Sequence, residues 1–453
     1  MKLNRRQFIG GGLAGASMVL AACGSSSSTA TTTTSTTKPR PKTIRQPGSL
    51  PYPDRAIGTD QVPEIEHIVV VMMENHSFDN LLGLIGRGDG FTVGSDGHPI
   101  ASNPDGHGNL IHAFHMPNEC QTTGVRNDWT AAHEAFDGGT NQGFVTSSTP
   151  EAMGYFTKDD LPFTCGMASV FPIADRYFCS AMAQTDPNRR YLISGTSLGL
   201  INDTFPLNLP PNGVIYEQFD KHGITWKDYY SDAPTLGVYL TYLEEGNPVS
   251  KGVTKIDQFY IDAAAGNLPQ YCLVEPNYDH SSEEDPQDIQ FGDQFMGNVV
   301  NAVMSSPNWS KTMLIWTYDG HGGYCDDVPP PAAIPPDDIP PNLQPGDPPG
   351  TFDQYGFRVP AGVVSPYAKK DFVSHTVYDH TSILKTVEEK WNLPALTRRD
   401  ANASSLFDMV DLRSKPAFLK PPKLPVAANP VPKEGCLTTG PGTIPPPSAV
   451  TKA

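Results

Sequence analysis

The stretch 65-IEHIVVVMMENHSFDN-80 constrains this chain more than any other. Six apolar residues, Ile68 to Met73, run without the polar alternation of a strand that keeps one wet face. A run this short and unbroken reads as a strand buried on both sides, the condition of a parallel sheet inside an α/β layer structure. It then stops at Glu74, Asn75 and His76. In open parallel sheets, ligands sit just beyond the carboxyl ends of the strands. The tip of this strand is therefore a candidate for function.

The same pattern recurs. The runs 270-QYCLVEP-276, 312-TMLIWTY-318 and 359-VPAGVVS-365 read as further buried parallel strands. Between them, 289-IQFGDQFMGNVVNAVM-304 and 380-HTSILKTVEEKWNL-393 carry apolar residues at helical spacing. Strands alternating with helices predict an α/β fold, a three-layer α/β/α sandwich around a mostly parallel sheet. Proline rules out helix or central strand in 328-VPPPAAIPPDDIPPNLQPGDPPG-350, so residues 324–352 are expected to form a surface loop near the site mouth. With 41 glycines and 45 prolines, long loops on a compact core are the general expectation.

Three strand ends carry reactive groups: Glu74-Asn75-His76, Glu275-Pro276-Asn277, and Asp319 with His321 in 316-WTYDGHGGYCDD-327. Carboxylate, amide and imidazole gathered on one rim suit metal or phosphate chemistry. A fourth piece is 184-QTDPNRRYLISGT-196, where Thr185 precedes Asp186-Pro187, a turn or helix start. A hydroxyl there is well placed to attack phosphorus, because the helix amides favour the phosphoryl oxygens. Taken singly, each feature has a plainer reading: a helix-start acid, a loop histidine, a turn.

Together these motifs resemble a bacterial phosphoesterase family that includes phosphatidylcholine-type phospholipases C and acid phosphatases, within the alkaline-phosphatase-like superfamily. The matching stretches come in order: 68-IVVVMMENHSFDNLLG-83, 185-TDPNRRYLISGT-196, 307-PNWSKTMLIWTYDGHGGYCDDVPPP-331, 356-GFRVPAGVVSPYAKK-370 and 378-YDHTSILKTVEEKWNLPAL-396. They span roughly residues 65 to 412. The resemblance implies an alkaline-phosphatase-like fold and Thr185 as nucleophile of a phospho-enzyme. It also implies Glu74, Asn75 and Asp319 around a divalent metal cation of unknown identity. His321 and His380 are the implied imidazole acids. His133, His280 and Asn188 are the implied substrate-binding groups. The expected substrate is a phospholipid or a small phosphoester, cleaved as a phosphodiester in the manner of a phospholipase C. The alternatives are an acid-phosphatase-type phosphomonoesterase and a non-catalytic member that binds phosphorylated ligands.

The chain departs from the family pattern at four places. Gly320 stands where the family has Glu, and Asp327 where it has His. Asp285-Pro286 stands for His-Pro, which makes His280 the nearer imidazole, and Asn127-Asp128-Trp129 stands for His-Ser-Trp, which leaves His133.

Outside the body, Arg5-Arg6 in 4-NRRQFIG-10, followed by a mildly apolar Gly/Ala-rich run, resembles a twin-arginine export signal. It ends in 20-LAACG-24, a lipoprotein-type box with Cys23 as the lipidated residue. The expected organisation is a signal over 1–23, a Ser/Thr/Pro-rich linker over 24–62, a catalytic domain over 63–415 and a Pro-rich tail over 416–453. The expected location is the outer face of the cell membrane, held by the N-terminal lipid anchor, or the exterior as a secreted protein. Six further cysteines permit disulfides there without fixing their pairing. A net charge of -17 and the lack of a basic stripe argue against nucleic acid as a partner.

Overall fold

The computed structural model describes residues 43–119, 125–430 and 450–452. The export stretch, Cys23, Cys120 and Cys436 lie outside them. Eight strands form the main sheet: β1 (His67–Met73), β2 (Ile173–Ala174), β3 (Trp226–Tyr230), β4 (Val253–Lys255), β5 (Tyr271–Val274), β6 (Thr312–Tyr318), β7 (Ala361–Val364) and β8 (Val373–Ser374). Their spatial order is β8-β2-β7-β6-β1-β5-β3-β4. β1 lies centrally, parallel to β6 on one side and β5 on the other.

Every residue of β1 and β6 is buried, so both faces of the sheet are covered. The helices used below are α1 (Trp129–Phe136), α2 (Pro162–Val170), α3 (Thr185–Ser194), α4 (Ile215–His222), α5 (Ile256–Ala265), α6 (Ile289–Ser305), α7 (Thr381–Trp391) and α8 (Arg398–Asn402). Two packing groups emerge: α2 and α5 against α6, and α3 with α4, α7 and α8. These are the outer layers of the α/β/α sandwich. In α6, Asp288 caps the first turn by accepting from the Gln290 amide, and Ile289, Met296, Val299, Val300 and Val303 form the buried stripe.

Three expectations are corrected. The run around Ala361–Val364 is a strand, but antiparallel to both neighbours, β6 and β2. Residues 44–62 are not a free linker. The Gly48 amide donates to Ala395 O at 2.7 Å, Gln61 N donates to Lys390 O at 2.7 Å, and the Asn392 amide donates to Tyr52, Arg55 and Ala56 carbonyls. The start of the Pro-rich tail is also docked. Phe418 and Leu424 join the core, and Trp309 Nε1 donates to Phe418 O at 3.1 Å. Two large apolar anchors suffice where the backbone is otherwise extended proline.

Cys165, Cys179, Cys272 and Cys325 are buried free thiols, and burial raises the pKa of each, that of Cys165 to about 12. Among the described residues no helix is long and apolar enough to cross a membrane.

Candidate functional site

Because β1, β5 and β6 run parallel, their carboxyl ends bring Glu74, Glu275 and Asp319 to one edge of the sheet. Asn75, directly after β1, adopts φ 62, a left-handed conformation that asparagine tolerates better than most side chains. Its backbone N–H points to Asp319 Oδ1 at 3.4 Å, and its side-chain Nδ2 reaches Thr185 Oγ1 at 3.3 Å. Gly322, at φ 64, is required here: a Cβ would sit 1.8 Å from the Asn75 carbonyl oxygen.

Thr185 is the first residue of α3, where the helix dipole favours an anion; the Asp186 amide of this turn already donates to Asp203 Oδ1 at 2.8 Å. One turn on, Arg189 is buried and binds three elements at once. Its Nε donates to Asp319 Oδ2 at 2.8 Å, and its Nη1 donates to Glu275 Oε2 at 2.7 Å and to Thr235 Oγ1 at 2.9 Å. The guanidinium lies 4.9 Å from the Tyr278 ring centre. Nη2 stands 3.8 Å from Glu74 Oε1 and makes no hydrogen bond in the structure.

Thr185, Glu74 and Arg189 line a cavity of about 500 Å³, together with Asp186, Asp203 and Glu284. The far wall is apolar, with Phe205, Leu240 and Leu243. Burial raises the Glu74 pKa well above the usual carboxylate value, with Asp319 and Glu284 adding to the shift and Arg189 opposing it. Glu284 is raised by burial, then by Asp285 and Asp319. Asp186 is pushed up to about 6 by burial and by Asp203, against the pull of Arg190. One guanidinium therefore stands among more carboxylates than it can neutralise. Glu74, Asp319, the Asn75 amide oxygen and the Thr185 hydroxyl are all oxygen donors; in the structure the Asp319 oxygens accept from Asn75 N and Arg189 Nε, and Asn75 Oδ1 accepts from Asn127 Nδ2. Such an all-oxygen set fits a hard divalent cation.

Glu74, Asn75, Thr185 and Asp319 thus converge. The other candidates lie elsewhere. Asn188 spends its side chain on the backbone of the turn before Thr185, donating to Ala181, Ala183 and Gln184 carbonyls and accepting from the Ala181 amide. It shapes the turn and is too occupied to hold substrate. His380 is fully buried, with Nε2 donating to the Asp319 carbonyl at 2.7 Å and Nδ1 facing the Tyr177 hydroxyl at 3.3 Å. Burial lowers its pKa to about 4, so it is a neutral prop under Asp319. His321 is buried against Phe357 and Phe144, with ring centres 4.7 and 6.4 Å away, and burial lowers its pKa to about 3.

His133 donates from Nδ1 to Trp129 O at 2.7 Å within α1 and lies against the Trp129 ring. It is Asn127, the residue in the family's histidine position, that reaches the site: its Nδ2 donates to Asn75 Oδ1 at 3.1 Å. His280 is exposed and packs on Phe291. Among the described residues no histidine lines the cavity. His76 is buried too, bonded to Asn80 Oδ1 at 2.7 Å and to the Glu283 carbonyl at 3.1 Å. The Pro-rich loop packs on α1 and α8, through Trp129 Nε1 to Pro348 O and Arg398 to Asp338, and does not line the cavity.

A second acidic group lies apart from this cavity. Oxygens of Asp79, Asp326 and Asp327 fall within 4.8 Å of one another, close enough for a cation to use. Arg358 already bridges them, at 3.1, 2.8 and 3.3 Å.

The Phosphoesterase family model matches residues 65–394. The chain is 29% identical over 409 residues to non-specific phospholipase C1 of Arabidopsis thaliana, covering 80% of this chain and 74% of that one. It is 28% identical over 417 residues to phospholipase C A of Mycobacterium tuberculosis, covering 76% and 77%. It is 27% identical over 383 residues to non-hemolytic phospholipase C of Pseudomonas aeruginosa, covering 73% of this chain but only 54% of that protein. Among solved structures, a protein of the alkaline phosphatase superfamily from Vibrio parahaemolyticus aligns with 66% of this chain and 74% of its own, at 11% identity and a TM-score of 0.34.

Proposed function

This chain belongs to the Phosphoesterase family, and we propose that it is an exported hydrolase of phosphoric esters that cleaves phosphodiesters in the manner of a phospholipase C, with Thr185 as nucleophile. The observation that carries the reading is the Thr185 hydroxyl at the start of α3, held 3.3 Å from Asn75 on the same strand tip that presents Glu74. The relatives named above are phospholipases C, which supports the ester class.

The reaction forms a Thr185 Oγ–P bond and breaks the bond from phosphorus to the leaving alcohol. Asn75 orients the hydroxyl. Arg189 Nη2, its hydrogen bond unmade, donates to a phosphoryl oxygen. The hydroxyl proton passes to a carboxylate of the same cavity, where Glu284 has an unpartnered Oε2. Asp186, with its pKa raised to about 6, gives a proton to the departing alkoxide. The other alcohol stays on phosphorus, so the intermediate is a Thr185 phosphodiester. Water, losing a proton to Asp186, then breaks the Oγ–P bond and releases the retained alcohol as its phosphomonoester, and Glu284 returns the proton to Thr185. A divalent cation held by Glu74, Asn75, Asp319 and Thr185 would lower the hydroxyl pKa and neutralise phosphoryl charge. Among the described residues lining the cavity Arg189 is the one cation, facing four carboxyl groups, which disfavours a phosphomonoester dianion. The same groups favour a diester, with its single charge, attached to a cationic headgroup.

Export rests on Arg5-Arg6 and on 20-LAACG-24, with Cys23 as the anchor point. The test is turnover of chromogenic phosphodiester and phosphomonoester by the purified protein, with and without divalent metals. The expected result is diester turnover that Thr185→Ala abolishes. Equal turnover by the variant, or none under any metal, overturns the reading.

A further inference from the structure

The acidic cavity has an apolar lip that catalysis does not use. Phe205 and Leu240 line the cavity and are nevertheless 52% and 51% exposed, so the apolar wall runs out to the protein surface. Phe205 begins the segment 205-FPLNLPP-211. This segment is held at its start by Arg190, whose Nη2 donates to Thr204 O at 2.7 Å, and at its end by Asn212, whose Nδ2 donates to Leu396 O at 2.6 Å. Between these anchors Leu207 is 100% exposed and Leu209 is 41% exposed. Large apolar side chains standing fully in water beside a cavity mark an interaction surface. Prolines 206, 210 and 211 restrict the loop, so little order is lost when it docks.

We propose that Phe205, Leu207, Leu209 and Leu240 form a lip that seats the cavity mouth on a zwitterionic phospholipid surface, delivering lipid substrate to Thr185. The proposal rests on the phosphodiesterase reading above and names the physical form of its substrate. Two observations select this occupant. Phe205 and Leu240 belong both to the lip and to the cavity wall, and Leu207 and Leu209 follow Phe205 within four residues, so a surface that covers the lip lies at the mouth of the acidic cavity. Charge selects the kind of lipid. Asp232, Glu244 and Glu245 are exposed on the segments that flank Leu240 and Leu243, and the whole chain carries -17. An anionic leaflet would repel this face, whereas a zwitterionic one presents its cationic ammonium groups to it. Apolar side chains that enter the boundary between headgroups and acyl chains bind in proportion to the area they bury.

The experiment uses the full chain carrying Cys23→Ser, so that no lipid is attached to it. Sedimentation with phosphatidylcholine vesicles is compared with vesicles rich in phosphatidylglycerol, for the chain with and without Leu207→Asp or Leu209→Asp. Binding to phosphatidylcholine is expected, weaker on the anionic vesicles, and reduced about tenfold by Leu207→Asp. Turnover of a soluble chromogenic phosphodiester is expected to be unchanged by Leu207→Asp. No vesicle binding, variants that bind as well as the unsubstituted chain, or preference for the anionic vesicles overturns the proposal. So does a dimer seen by light scattering that Leu207→Asp splits while vesicle binding is absent. Vesicle binding needs no turnover, so a lip that binds on a chain without esterase activity leaves this inference standing and sinks only the catalytic reading.

Discussion

Two buried arginines each stand among three carboxylates in this molecule, and they do different things. Arg358 touches Asp79, Asp326 and Asp327, and its Nη1 also donates to the carbonyls of Asp89 at 2.6 Å and Asp175 at 3.2 Å. The Phe78 ring covers it at 4.6 Å. Arg189 touches Glu275 and Asp319 and faces Glu74, but its Nη2 makes no hydrogen bond in the structure and the residue lines a cavity. The charges are alike. What separates the two is closure: one guanidinium is fully engaged with its own chain, while the other keeps a donor unused beside a hydroxyl. The first arrangement fixes loops, and the second leaves room for a substrate.

The comparison can be broken by mutation. The largest effect is expected at the open site, where Thr185→Ala lowers phosphodiester turnover by about a thousandfold or more while the melting temperature stays put. At the closed site, Arg358→Leu leaves three carboxylates without their counter-charge. Urea unfolding should report a loss of about 3–5 kcal/mol, with turnover per folded molecule preserved. Arg189→Lys keeps the charge but loses the fork. A roughly hundredfold drop in turnover, larger than its effect on stability, would sharpen the contrast; an equal loss in both would erase it.

Gly320→Glu supplies the carboxylate found in the family pattern. The backbone there is not left-handed, and the nearest atom to the new Cβ is Asn75 Oδ1 at 3.1 Å, a side-chain end that can shift. The variant should lower the metal concentration needed for half-maximal activity by about tenfold, because each added charged ligand tightens a hard-cation site.

The smallest effect concerns pH. Asp186 donates its proton only while protonated, so turnover should decline as pH rises through about 6, and Asp186→Asn should flatten that decline. The sign for stability is the same: a raised carboxyl pKa means the folded state binds the proton more tightly. The stabilisation from protonated Asp186 is present at low pH and lost as pH rises through about 6.

Much of the fold was legible because burial on both faces writes a continuous apolar run. Ile68–Met73, one residue short of the strand's start at His67, and Thr312–Tyr318 were readable for that reason. The direction of Ala361–Val364 was not, since an apolar run looks the same in either orientation and only the route of the chain decides it. The convergence of Glu74, Asn75 and Asp319 followed from strand-end placement, which parallel pairing enforces.

The histidines misled, because the letter does not say whether an imidazole faces water or a core. His321 and His380 went inward and lost their protons to burial. Arg189 was missed because a helical arginine is by default read as a surface residue. Its spacing of four from Thr185, which puts both on one face of α3, was the available signal. Asn127 could have been found by taking its position in the motif more seriously than its residue type.

The most direct test is to quench the protein during turnover of a chromogenic phosphodiester and map the covalent adduct by mass spectrometry. A phosphoryl group that still carries the diester's retained alcohol, on the peptide containing Thr185 and absent from Thr185→Ala, is the predicted result. Sustained turnover with no adduct at Thr185, or an adduct on another residue, would contradict the account.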